Sequence, residues 1–214
     1  EHVIVRCLRS VFPIVDSYCV VDTGSTDRTR QVVREVCAVP SMFAGDVVDR
    51  PWVDFGTNKT EAMVLAREVA DWALLMDADD LCSIDLGAPE KVRELLSSTN
   101  YDAFGLRVGY GPSSYERIHV VRTSLPWRYV GVRHEYIDCG VPALVGGHLP
   151  GVRYEVAGGG ARSRDPEKYL RDAEALLVDL DRDPGNPRTV FYIALSYRDA
   201  GRSREALVWY RKRA

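Results

Sequence analysis

Three short clusters of charged and polar residues carry the chemistry this chain could perform. The first is Asp22-Thr23-Gly24-Ser25-Thr26-Asp27, placed where the apolar run Ser17 to Val21 hands over to a helical pattern. A helix amino terminus ordinarily attracts phosphate. Here two carboxylates already occupy the turn, so a ligand offering donors, such as ribose hydroxyls or a base N–H, suits it better. Asp22 is the expected acceptor. Ser25 and Asp27 fit the same role, and a plain helix cap is an equal reading for Asp27. The second cluster, Asp77-Ala78-Asp79-Asp80, gathers three carboxylates within four residues after the apolar run Trp72 to Met76. Such crowding raises each group's proton affinity unless a cation neutralises it. Hard oxygen donors favour Mg²⁺ or Mn²⁺, which complete their shell with water and substrate phosphates. A solvated acidic turn is the bland alternative. The third is Gly131-Val132-Arg133-His134-Glu135-Tyr136, read as a strand that presents Arg133 with Glu135 on one face and His134 with Tyr136 on the other. Lys59, at a helix start, is placed to contact a diphosphate.

The elements that must position these residues alternate strand with helix. Val3, Cys7, Leu8 and Val11 have helical spacing, and the chain reads as beginning mid-fold. Ser17 to Asp22 is a buried strand, followed by a helix with Val32, Val33, Val36 and Cys37 inward. Asp46 to Arg50 is a second strand. A helix capped near Asn58, with Glu61 three residues on, has Ala62, Ala66, Val69 and Ala70 inward. Trp72 to Met76 reads as a central parallel strand delivering Asp77 at its carboxyl end. A helix from Pro89 to Ser98 precedes two strands, Asp102 to Val108 and Tyr115 to Arg122. Glycine and proline thicken from Val141 to Gly160, which reads as a linker. Beyond Pro166, Tyr169, Leu170, Ala173, Leu176, Leu177 and Leu180 form an amphipathic helix. Two further helices break at Gly201, with Phe191, Ala194, Leu195, Tyr197, Ala206, Leu207 and Tyr210 inward. This pair suits a tetratricopeptide-like unit of about 34 residues, able to contact a protein partner.

Composition narrows the classes. The 214 residues carry 28 Lys+Arg against 31 Asp+Glu, a net of −3, which argues against nonspecific nucleic-acid binding. The longest apolar run falls far short of the ~20 residues that cross a bilayer, so no membrane span is expected. Five scattered cysteines, Cys7, Cys19, Cys37, Cys82 and Cys139, lack zinc or dithiol spacing. They point to a reducing, cytoplasmic setting.

Taken together, Asp22 to Asp27, then Trp52-Val53-Asp54-Phe55-Gly56-Thr57-Asn58-Lys59-Thr60-Glu61-Ala62, then Leu75 to Asp80, then His134-Glu135, resemble family 2 glycosyltransferases with the A-type glycosyltransferase fold. The resemblance implies a Rossmann-like, mostly parallel α/β sheet with flanking helices over residues 1–160, and an α-helical tail over 161–214. It implies sugar transfer from a uridine- or guanosine-linked nucleotide donor to an acceptor, with inversion. By the family's motif Asp22 contacts the nucleoside, Asp77 the ribose or metal, and Asp79 the Mn²⁺ or Mg²⁺ that bridges the donor diphosphate. Glu135 is the expected base and His134 a metal or diphosphate contact. Lys59 stands where relatives have Arg, keeping charge but not the bidentate fork. Relatives begin with a central strand of which only Glu1 remains here, so a gap is expected beside Val20 and Val21. The tip Asp77-Ala78-Asp79 also fits a haloacid-dehalogenase-like phosphatase nucleophile, and a noncatalytic helical scaffold is a third reading.

Overall fold

The computed structural model describes residues 1–38 and 44–214. Helix α1 (His2–Val11) buries Ile4, Cys7, Leu8 and Val11, the i, i+3, i+4, i+7 stripe of its sequence. Strand β1 (Ser17–Asp22), helix α2 (Thr29–Cys37) and strand β2 (Ala44–Asp49) form a β-α-β unit whose strands pair in parallel, Asp22 opposite Asp49. Val33 and Cys37 of α2 pack on Val47 and on Ile4 and Leu8 of α1. Helix α3 (Phe55–Ala66) starts three residues before the cap expected at Asn58. Asp54 is the cap, its carboxylate accepting from Thr57 N at 2.7 Å and Thr57 Oγ1 at 2.9 Å. Asn58 is buried instead, tied to the Pro51 carbonyl, Val53 N and Glu61.

A five-stranded sheet carries the rest. Its order is β3 (Trp72–Leu74), β6 (Ser113–Arg122), β5 (Ala103–Tyr110), β9 (Val145–Glu155) and β4 (Leu81–Ile84). Helix α4 (Ala88–Ser98) covers β9, and β7 (Arg128–Val130) pairs with β8 (Tyr136–Asp138) as a separate ribbon. The α/β class with flanking helices stands, but the sheet is mixed: only β5 and β9 run parallel within it. The expected linker from Val141 to Gly160 contains β9, an 11-residue strand in the middle of the core. Leu149, Val152 and Tyr154 point inward there among Phe104, Leu106 and Val108. Gly146 and Gly151 are packing residues, since a Cβ would lie 2.5 Å from the Phe104 ring at the first and 2.8 Å from Ala88 Cβ at the second.

The β1–β2 pair does not join the larger sheet among the described residues. Between β1 and β3 lies an apolar cavity of about 1000 Å³, walled by Val20, Val21, Trp72, Leu74, Leu8 and Met63. Past a 3-10 turn at Ala161–Arg164 come α5 (Lys168–Arg182), α6 (Pro187–Asp199) and α7 (Ser203–Arg213). They bury Ala173, Leu176, Ile193, Ala194 and Ala206. Phe191 and Leu207, expected inward, remain 39% and 50% exposed. All five cysteines are free thiols. Burial pushes Cys7 and Cys82 up to about 12, so both act as protonated packing groups. No helix among the described residues is long and apolar enough to cross a membrane.

Candidate active site

Asp22 ends β1 and is buried, with Gly24 N donating to its Oδ1 at 3.0 Å and Ser25 N at 2.9 Å. Gly24 permits this turn at φ +110°, a conformation L side chains resist. Burial alone would raise the Asp22 pKa. The hydrogen bonds from Ser25 and Gly24 and the charge of Arg30 outweigh it and hold the carboxyl below its ordinary value. Asp22 is thus a fixed anion with lone pairs to spare. Asp27 is different: its Oδ1 accepts from Thr29 N at 3.0 Å and Thr29 Oγ1 at 2.6 Å, so the cap reading describes it. Ser25 sits half-buried between them.

The strand expected from Trp72 to Met76 is regular only to Leu74, and the remaining residues bend toward Asp77. A buried network fixes that bend. Arg117 Nε donates to His119 Nε2 at 3.0 Å, which leaves Nδ1–H to donate to the Leu75 carbonyl at 2.8 Å. His119 stacks on Tyr154 with centroids 3.9 Å apart. Tyr154 accepts from Asp77 N at 3.2 Å and donates to Asp80 Oδ2 at 2.8 Å. Burial, helped by Arg117, lowers the His119 pKa to about 4 and keeps the ring neutral. Asp80 also accepts from Ala157 N at 3.1 Å. Burial first, then the charges of Asp77 and Asp79, raises its proton affinity. Asp80 therefore clamps Tyr154 to the backbone at Ala157 and Gly158. Asp79 accepts at Oδ2 from Gly160 N at 3.1 Å, and among the described residues its Oδ1 receives no hydrogen bond.

Lys59 ties the clusters together. Its Nζ lies 2.6 Å from Asp77 Oδ1 and 2.7 Å from Glu135 Oε1. Desolvation would lower its pKa, but the two carboxylates more than reverse this and raise it. Burial likewise favours neutral Asp77, and the Lys59 charge overrides it to lower that pKa. Lys59 thereby joins two acids 18 and 76 residues away in sequence.

Residues 131–135 are not the expected strand but a bend between β7 and β8. Gly131 takes φ +103° and His134 φ +52°, the latter costly for a residue with a Cβ. The two faces anticipated for a strand therefore do not exist. Arg133 turns to Asp172 of α5, 2.7 Å away, and stacks 4.4 Å over Phe55. His134 stacks on Tyr192 of α6 at 4.1 Å and 7°. Among the described residues no three His, Cys, Asp or Glu side chains converge as a metal cluster. Sequence reading missed Arg162, Asp172, Arg188, Tyr192, Tyr154 and His119 as parts of this site. The periodicity that placed Ala173 and Leu176 on the inner face of α5 puts Asp172 beside them, which was the available signal.

The β1 and β3 tips share one end of the molecule. Glu1 at the start of α1 accepts from Arg28 N at 3.0 Å, and Arg6 on the next turn donates to the Asp79 carbonyl at 2.9 Å. Thr23, Lys59 and Asp77 border the same cavity.

The chain is similar in sequence and fold to known proteins. The chain is 32% identical over 143 residues to a TPR repeat-containing protein of Synechococcus elongatus, covering 65% of this chain and 33% of that protein. It is 33% identical over 101 residues to an uncharacterized glycosyltransferase of Rickettsia felis, covering 47% and 32% respectively. The chain thus spans about a third of the length of these relatives. The S. aureus TarS 1–349 crystal structure superposes with a TM-score of 0.50 at 14% identity, over 90% of this chain and 66% of that one, a likeness of fold. The model of the glycosyl transferase family 2 domain matches residues 1–148, which contain Asp22, Lys59, Asp77, Asp79 and Glu135, and the chain belongs to that family.

Proposed function

We propose that this chain transfers a sugar from a uridine- or guanosine-diphosphate donor to an acceptor nucleophile, with inversion at the anomeric carbon. The observation that carries this reading is the single ammonium of Lys59 joining Asp77 and Glu135, which brings three separate family motifs to one point. Asp22, anionic and held by Gly24 and Ser25, accepts from a ribose hydroxyl or a base N–H. Asp77, charged at neutral pH through Lys59, offers its second oxygen to the ribose. Asp27 belongs to the turn that supports Asp22.

The donor set fits a divalent ion bound sparingly by protein. Asp79 presents one hard oxygen without a partner among the described residues, and Mg²⁺ or Mn²⁺ takes few carboxylates when diphosphate oxygens and water complete its shell. Such an ion would neutralise charge on the departing diphosphate. The chain's own residues do the remainder. Glu135 keeps Oε1 on Lys59 and has Oε2 to take the acceptor proton, a contribution of about 10²–10⁴ in rate. Lys59 fixes the direction in which that carboxylate faces. The phosphatase reading is set aside by the family assignment, and the helical segment after residue 160 is read as a tetratricopeptide-like unit open to a protein contact.

The test is release of nucleoside diphosphate from a panel of UDP- and GDP-sugars with and without Mn²⁺. Asp79→Asn should retain the wild-type unfolding temperature without ligand and lose turnover by about 10²-fold or more. Wild-type turnover in that variant refutes the metal assignment, and no diphosphate release by the wild type across the panel refutes sugar transfer.

A further inference from the structure

Glu135 stands on a bend that cannot hold itself. Gly131 and His134 both sit at positive φ, and no regular strand pairing spans residues 131–135. What holds the bend comes from two sides. On one side is the first turn of α3: a Cβ on Gly56 would lie 2.5 Å from the Gly131 carbonyl, so loop and helix touch through backbone. On the other side are helices beyond the family domain. Asp172 of α5 is 2% exposed and pairs with Arg133 and with Arg162. Both guanidiniums lie over the Phe55 ring, at 4.4 and 5.6 Å. Arg188 of α6 donates to the His134 carbonyl at 2.8 Å, and Tyr192 stacks beneath the His134 ring.

We infer that Asp172 is a positioning residue for Glu135, acting through Arg133, and that α5 and α6 form a wall of the active site. The inference rests on the sugar-transfer reading for its catalytic consequence. Two guanidiniums over one ring repel each other, and Asp172 is the anion that permits it. Without its charge Arg133, two residues from Glu135, has every reason to leave Phe55 and compete with Lys59 for the Glu135 carboxylate. Lys59 then no longer sets the direction of Oε2. Asp22 lies on another loop and keeps its bonds from Gly24 and Ser25, so the loss falls chiefly on turnover.

The experiment uses the full chain in wild-type and Asp172→Asn forms. Two readouts are taken, steady-state turnover of the best sugar nucleotide and the ring-proton NMR signals of His134, which stacking on Tyr192 displaces upfield. Asp172→Asn should lower kcat by about tenfold or more with little change in donor KM, as expected of a misplaced base. The His134 signals should move toward their unstacked positions. In an Arg133→Met background the same substitution should cost little further, because the residue it acts through is gone. Arg188→Ala, on the surface, perturbs the same bend without touching the core and should shift the His134 signals in the same direction. Unshifted His134 signals in both Asp172→Asn and Arg188→Ala overturn the inference, as does a kcat loss that simply adds to that of Arg133→Met. The NMR arm needs no substrate, so a chain that turns over no sugar nucleotide fails the proposed function while this arm still decides the positioning role.

Discussion

Lys59→Met isolates the interaction on which the site is built. Methionine keeps the apolar stem but removes the ammonium lying 2.6 Å from Asp77 and 2.7 Å from Glu135. Breaking one partner out of a buried ion pair costs about 3–5 kcal/mol. The Lys59, Asp77 and Glu135 side chains retain 23%, 35% and 12% exposure, so water recovers part of this. The expected loss is therefore about 2–3 kcal/mol. Its pH dependence follows from the two shifts. Asp77 is lowered from 3.8, so its contribution is present above that value and fades as pH falls through the folded pKa. Lys59 is raised from 10.5, so its contribution is complete below that value and is lost only in strong base. Between these limits the difference between wild type and variant stays flat. On the acid side it closes, because the wild type loses the pair while the variant relieves its repulsion by protonating one carboxylate. Urea unfolding at neutral pH and at about pH 3, below the ordinary aspartate value, measures both values. A difference that is the same at the two pH values, or under about 0.5 kcal/mol at neutral pH as for an exposed pair, refutes the argument.

Two further outcomes follow from packing and titration. Gly56→Ala places a Cβ 2.5 Å from the Gly131 carbonyl, and backbone on both sides cannot yield cheaply. It should lower stability by about 1–3 kcal/mol and depress turnover more than donor affinity, measured by thermal unfolding and initial rates. His119 is neutral in the folded chain with a pKa of about 4, while the unfolded ring charges near 6.5. The unfolded state binds the extra proton, so stability should fall as pH drops from about 6.5 toward 4. His119→Gln should flatten that slope in urea titrations, and an unchanged slope assigns the acid sensitivity to other groups.

The sequence announced the strand tips far better than the surfaces that hold them. Asp22, Asp77 and Asp79 were legible because an apolar run ending in carboxylates has few structural explanations. β9 was not, because Gly146, Pro150 and Gly151 carry the composition of a linker, and only the packed Phe104 ring and Ala88 side chain explain why the glycines are needed there. The 131–135 bend was misread for a related reason. Period-two alternation over six residues cannot reveal two positive-φ positions, and His134 gives no local sign that Tyr192 will stack on it. What sequence periodicity reports is the burial of each element against its own neighbours. Lys59 is the counterexample that shows the limit: its helical position is plain, yet its partners come from a strand tip and a loop. A single ammonium that must satisfy both acids constrains β3, α3 and the β7–β8 bend at once. Chemistry placed at such a crossing is thus more sensitive to remote packing, including that of α5 and α6, than any one of its motifs suggests.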